Sequence, residues 1–237
     1  MRGLIIMAMF AVSLADAAWN NYQEQRGLNL GTAGIRSVDI EAGAGSLDVS
    51  GVKGTDAIDV EATIEVPGAD AGTARDIIES DLQLKLEKQG DKAIVKAYFD
   101  DKIWHTGDSP RVHLTVRMPQ NLDLVIEDGS GSLSVSDVSG AIDIDDGSGA
   151  IRLANVGGRV RVNDGSGSIY ARDIGGDMAI EDGSGSIDVE GVAGSVIIDD
   201  GSGSIGVRDV QHDLTIIDSG SGGVRIADVK GNVVTDT

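Results

Sequence analysis

Asp128-Gly129-Ser130-Gly131-Ser132-Leu133 is the phrase on which the reading of this chain turns, because it keeps returning. Asp-Gly-Ser-Gly-(Ala/Ser)-Ile starts again at Asp146, Asp164, Asp182 and Asp200, and a weaker copy, Ser-Gly-Ser-Gly-Gly-Val, starts at Ser219. Successive copies are 18 residues apart, the last 19. A short constant period with apolar residues at fixed offsets marks a solenoid, in which each repeat is one coil.

Each coil is numbered so that the phrase's Asp is position 2 and the Gly after it position 3. Five columns are then apolar almost throughout. Position 7 runs Leu133, Ile151, Ile169, Ile187, Ile205, Val224, and position 9 runs Val135, Leu153, Ala171, Val189, Val207, Ile226. Position 12 is Val or Ile, from Val138 to Val229. Position 16 runs from Ile142 to Val233, and position 18 from Ile144 to Thr235. Spacings of two around 7/9 and 16/18 predict two short strands per coil, with glycines at positions 3, 5 and 14 as corners. Coils stacked about 4.8 Å apart lay like side chains on like. The expected fold is all-β: a single-stranded β-helix, or β-solenoid, with a right-handed coil favoured.

Outward from the repeats, Gly43-Ala44-Gly45-Ser46-Leu47-Asp48-Val49 followed by Gly51, Val52 and Gly54 is an earlier coil, with Ile58 and Val60 expected to fill its positions 16 and 18. The predicted organisation is a signal peptide at 1–17, an N-terminal segment at 18–34, first coils at 35–60, an insertion at 61–121 and the main solenoid at 122–237. Within the insertion, residues 70–81 predict a helix with Thr73 and Asp76 at capping-box spacing. Strands are expected around Leu82–Leu86, Lys92–Phe99 and Val112–Met118. The insertion is expected to cap or flank the N-terminal end of the stack, because an open end is an unpaired edge. No comparable cap follows Val233, which predicts an exposed edge open to self-association.

Arg2, the apolar run Gly3–Leu14 and Ala15-Asp16-Ala17 have the layout of a secretory signal with cleavage near Ala17. The chain has no cysteine, hence neither a disulfide nor a lipid-attached cysteine. The expected location is periplasmic or secreted, without membrane insertion once the signal is gone. The formal net charge of −20 argues against nucleic acid as a partner.

The signal segment, the Gly-x-Gly-Ser-Leu-Asp-Val-x-Gly-Val-x-Gly start at 43–54, the helix-containing insertion, Val116-Arg117-Met118-Pro119 and the Gly-Ser-Gly coils together resemble the bacterial putative-adhesin domains of unknown function, the head-GIN-like β-solenoid family. The resemblance spans roughly 35–235. It implies an exported β-helix with an adhesive or envelope role, and it carries no catalytic residue over.

Three groups of residues could carry chemistry. Asp128, Asp146, Asp164, Asp182 and Asp200 form a column of carboxylates that would repel one another. Either each accepts backbone N–H groups of its own corner as an Asx-turn, or Ca²⁺ sits between coils. Calcium-binding β-rolls place Asp after Gly-x-Gly-x, where this chain has Ile, Leu or Val, which favours turns. Tyr98, Trp104 and His105 are aromatics in or beside a loop of an aromatic-poor chain and could stack on a sugar or peptide. The serine at position 4 of every coil is a hydroxyl ladder, not a nucleophile, since a hydrolase needs one serine in a unique setting with a base and an orienting acid. His113, between inward-facing Val112 and Leu114, is expected to face solvent. The outward position 8 (Ser134, Arg152, Tyr170, Asp188, Gly206, Arg225) is too mixed for an ice- or crystal-binding face. The expectation is a non-catalytic adhesion, binding or scaffold module, not an enzyme, with an envelope or cell-surface protein or glycan as partner. The alternatives are a Ca²⁺-dependent binding module and a β-helical polysaccharide-active enzyme, the latter needing a polar cluster that breaks the repeat.

Overall fold

The structure, a computed structural model, describes residues 21–100 and 109–236. The signal segment, Trp104 and His105 lie outside them. The chain runs β1 (Asn21–Gly31), β2 (Ser37–Ala44), β3 (Leu47–Val52), β4 (Ala57–Pro67), α1 (Ala71–Asp81), β5 (Leu82–Gln89), β6 (Lys92–Phe99), β7 (Arg111–Pro119) and β8 (Asp123–Ser136). It continues as β9 (Ile142–Asp146), β10 (Gly149–Val156), β11 (Val160–Asp164), β12 (Gly167–Ile174), β13 (Met178–Asp182), β14 (Gly185–Val192), β15 (Val196–Asp200), β16 (Gly203–Val210), β17 (Leu214–Asp218), β18 (Val224–Val229) and β19 (Val233–Thr235).

From β8 onward this is a β-solenoid of about 18 residues per coil. Ile151 pairs with Leu133 and Ile169 along one face, and Val160 with Ile142 and Met178 along the other, all in parallel. Residues at positions 7, 9, 12, 16 and 18 are buried from Leu133 to Ile216. Burying each aliphatic stabilises by roughly 1.5–3 kcal/mol before entropy is subtracted, so the shelves themselves hold the rod together. In the last coil, Val224, Ile226 and Val229 are only partly buried and Val233 is 47% exposed.

The glycine at position 5 has a steric cause. Gly131, Gly149, Gly167, Gly185 and Gly203 have φ between +131° and +154°. A Cβ on Gly167 would lie 1.5 Å from the carbonyl oxygen of Gly149 in the coil below. Position 11 shows a second device that the repeat pattern conceals: Asp137, Asn155, Asp173, Asp209 and Asp228 all sit near φ +55° to +60°. Asp and Asn tolerate that left-handed turn better than other side chains bearing a Cβ.

The N-terminal end differs from expectation in its spatial order. β2 and β3 pair in parallel with β8 on one side and with β6 and β7 on the other. β6 and β7 are therefore a coil in their own right, stacked outside the coil that precedes them in sequence. Ile58 and Val60 do not complete the β2–β3 coil. They belong to β4, which runs antiparallel along β7, with β1 antiparallel beyond it. The cause is length: alternation continues through Ala62, Ile64 and Val66, giving 11 residues where the repeat's second strands have five. β5 covers β6 in the same antiparallel way. The helix α1, between β4 and β5, buries Ala74 and Ile78 against the core. Its cap is Asp70, whose Oδ1 accepts the N–H groups of Gly72 at 2.8 Å and Thr73 at 3.0 Å, in place of the expected Thr73. No described helix is long and apolar enough to cross a membrane.

Candidate functional site

Alternation decides what the solenoid presents to solvent. On the face built by β8, β10, β12, β14, β16 and β18, positions 7 and 9 point inward, which leaves positions 8 and 10 outside. Register then sets Ser134, Arg152, Tyr170, Asp188, Gly206 and Arg225 in one outward row. Ser136, Ala154, Arg172, Glu190, Arg208 and Ala227 stand in the row beside it. Tyr170 is 43% exposed, and the Arg152 guanidinium lies 5.6 Å from its ring centroid. Arg208 pairs with Glu190 at 2.5 Å, which holds that carboxyl below its ordinary range. Tyr170, Arg152, Arg172, Asp188 and Glu190 border a shallow recess of about 300 Å³. An aromatic ring with cations and carboxylates on either side can stack on an apolar ring face and hydrogen-bond its rim. The position-10 residues escaped the sequence reading, although two-residue alternation from position 8 was enough to find them.

The aspartate column lies elsewhere than a surface reading would put it. In Ile142-Asp143-Ile144-Asp145-Asp146 the burial alternates so that Asp146 faces inward with the two isoleucines. All five column residues are at most 7% exposed. Oδ1 of Asp146, Asp164, Asp182 and Asp200 accepts the N–H of the serine two residues on, at 3.0–3.2 Å. This is the Asx-turn geometry. The Oδ2 atoms of all five are buried without a hydrogen-bond partner. Burial pushes Asp128, Asp146, Asp164 and Asp182 up to about 6, and neighbouring carboxylates push the same way on Asp146, Asp164 and Asp182. Asp200 is raised for the same reasons. Among the described residues, no three His, Cys, Asp or Glu side chains gather as a metal-binding group.

The serines at position 4 meet the next coil through their backbone: Gly131, Gly149, Gly167 and Gly185 donate to the carbonyls of Ser148, Ser166, Ser184 and Ser202. Tyr98, at the end of β6, stands against Gly43 with Lys96 Nζ 5.8 Å from its ring centroid. It leads into the segment that holds Trp104 and His105. His212, in place of a corner glycine, is exposed.

No family model matches the chain, and no curated protein matches it. Among solved structures it is similar to a putative cell adhesion protein from Clostridium sporogenes ATCC 15579 (7% identity, TM-score 0.42, 90% of this chain and 100% of the other). It is also similar to a putative lipid binding protein from Parabacteroides distasonis ATCC 8503 (17% identity, TM-score 0.48, 90% and 94%). A third is a putative adhesin from Bacteroides fragilis NCTC 9343 (11% identity, TM-score 0.41, 90% and 97%).

Proposed function

We propose that the repeating coils form a non-catalytic binding surface of an exported protein, acting in the periplasm or at the cell surface as an adhesion or envelope-recognition module. Its ligand is a glycan, or a glycosylated partner, laid across the Arg152–Tyr170–Asp188 row. The observation that carries this reading is Tyr170, the one aromatic among the large apolar side chains exposed in the described residues. It stands among Arg152, Arg172, Asp188 and Glu190, which supply donors and acceptors for hydroxyl groups. Aromatic stacking beside such groups gives affinity for neutral rings without requiring the protein's net charge to help.

A glycan array followed by calorimetry on the strongest binder tests this. Tyr170→Ala is expected to weaken binding at least tenfold while leaving the unfolding midpoint in place, because the ring packs on the outside. Unchanged affinity in that variant refutes the site. The Trp104→Ala variant, compared in the same assay, tells whether the segment around Trp104 contributes.

A further inference from the structure

The capped end of the solenoid contains what the repeats do not: one serine in a setting of its own. Ser46 immediately precedes β3, at the coil position that Ser132, Ala150, Ser168, Ser186 and Ser204 occupy elsewhere. Here the neighbouring strand is β7, which sets His113 beside it. The Ser46 hydroxyl lies 2.9 Å from His113 Nδ1, and the Ser46 backbone N–H donates to the same nitrogen at 3.1 Å. An N–H donor requires Nδ1 to carry a lone pair, so in the neutral ring the proton is on Nε2. Nε2 faces Glu65 Oε2 at 3.5 Å, on the next strand, β4. The other oxygen, Glu65 Oε1, accepts Gln23 Nε2 at 2.9 Å from β1, one strand further out. Three side chains on the adjacent strands β7, β4 and β1 thus form one line with Ser46 at the entry to β3. His113 faces outward as expected, yet its side chain is only 34% exposed, as is that of Glu65.

Nucleophile, base and orienting acid occur here in the order that activates a serine. Ser46 and His113 also border two openings. One is a groove of about 770 Å³, lined among others by Thr63, Thr115 and Arg117, and within the usual range for a small ligand. The other is a recess of about 420 Å³ that includes Arg111 and Ser132.

We propose that Ser46 is a nucleophile activated by His113, with Glu65 as the positioning residue, and that the site cleaves short-chain carboxylic esters borne on a polar carrier. The Ser46 oxygen bonds to the ester carbonyl carbon while its proton passes to His113 Nδ1. The tetrahedral adduct collapses by breaking the carbon–alkoxide bond, and the alkoxide takes the proton from Nδ1. Water then attacks the acyl group on Ser46, giving its proton to Nδ1, and the released serine oxygen recovers that proton. The net change is ester plus water to acid plus alcohol. The Glu65 carboxylate stabilises the imidazolium, while Arg111 and Ser132, which line the same recess as Ser46 and His113, supply the donors for the developing oxyanion. Gln25, Asn29, Thr63 and Thr115 line the groove and can hydrogen-bond a hydroxylated carrier, and this activity is separate from the recognition row around Tyr170.

A fluorophosphonate probe, followed by peptide mass spectrometry on the full chain, tests the proposal. Ser46 would displace fluoride from the probe's phosphorus and keep the phosphonyl group. The expected result is an adduct on Ser46 that forms at least tenfold faster than any on Ser168 or Ser186, which occupy the same coil position without a histidine. His113→Asn is expected to slow it about 100-fold, the usual contribution of a general base. Glu65→Gln should lower kcat for p-nitrophenyl acetate with KM unchanged, and Glu65→Asp should restore part of it. Mapping the wild-type protein requires no variant to fold. Absence of a Ser46 adduct where a known serine hydrolase is labelled, or equal labelling of Ser168, overturns the proposal and identifies His113 as a structural partner of the Ser46 N–H.

Discussion

The two ends of this rod are built from the same aliphatic alternation but solve different problems. From β8 to β19 each coil rests on a copy of itself, so every residue's neighbours are set by the period. From β1 to β7 the chain must stop the stack. It does so with long antiparallel strands, a helix and a coil, β6–β7, placed out of sequence order. Repetition gives stability and uniformity, whereas the break in repetition gives singular side-chain neighbours such as Ser46 and His113.

Glycine substitutions expose this contrast most strongly. Gly167→Ala forces a Cβ to 1.5 Å from a backbone oxygen at φ +146°, with coils fixed on both sides. It is expected to cost about 4 kcal/mol or more, since both overpacking and backbone strain act. Gly54→Ala, at φ +80° but with nothing within 4 Å, carries only the left-handed penalty of about 1 kcal/mol. Denaturant unfolding of the two variants compares them. Equal losses would mean that the coils can part to admit a methyl group, against the close stacking described for the corners.

Protonation separates the regions by sign. In the aspartate ladder, Asp128, Asp146, Asp164 and Asp182 titrate near 6 when folded, against 3.8 for the free group, and Asp200 is raised as well. Its contribution to stability is thus fully present below about pH 4 and lost as pH rises through 6. At the capped end, Asp70 is held low by the Thr73 and Gly72 N–H groups and the Thr73 hydroxyl, and Asp91 by Arg36. Their contributions are present above 3.8 and fade as the solution becomes more acidic than that. Between pH 7.5 and 5 the ladder governs, and the unfolding midpoint should rise on acidification. Asp164→Asn keeps an oxygen for the Ser166 N–H without the buried charge. It is expected to add about 1–3 kcal/mol at pH 7.5 and to flatten the pH dependence. A midpoint that falls between pH 7.5 and 5 would show that the ladder is solvated.

These differences explain what the sequence made legible. Positions 7, 9, 12, 16 and 18 could be placed from spacing alone, because a constant period leaves one way to stack like on like. The spatial order β6–β7, β2–β3, β8 could not, since Leu47 pairs with both Leu114 and Leu133 and nothing local to Leu47 reveals the former. The inward aim of Asp146 was available in the alternation of Ile142, Ile144 and Asp146, yet an acidic residue beside a Gly-Ser-Gly corner reads as surface until the burial is seen. The line Ser46–His113–Glu65–Gln23 joins residues far apart in the chain across neighbouring strands, and no spacing rule brings them together.

Calcium should have the smallest effect of all, and the reason lies in the ladder's hydrogen bonds. Ca²⁺ takes six to eight oxygens at 2.3–2.6 Å. Oδ1 of the ladder residues from Asp146 to Asp200 is occupied by a serine N–H, and the carbonyls of Asp128, Asp146, Asp164 and Asp182 accept Gly147, Gly165, Gly183 and Gly201 at 2.9 Å. The serine carbonyls of the corners are likewise taken by glycines of the adjacent coil. Unless these hydrogen bonds are given up, the oxygen each coil holds without a partner is one buried Oδ2, far short of the ion's shell. Unfolding midpoints in EDTA and in millimolar Ca²⁺ are therefore expected to agree within about 1 °C, since a ligand that binds the folded chain only weakly shifts stability little. A rise of several degrees that disappears in Asp164→Asn would reverse the assignment, making the ladder a cation channel between coils and the corner hydrogen bonds its resting state.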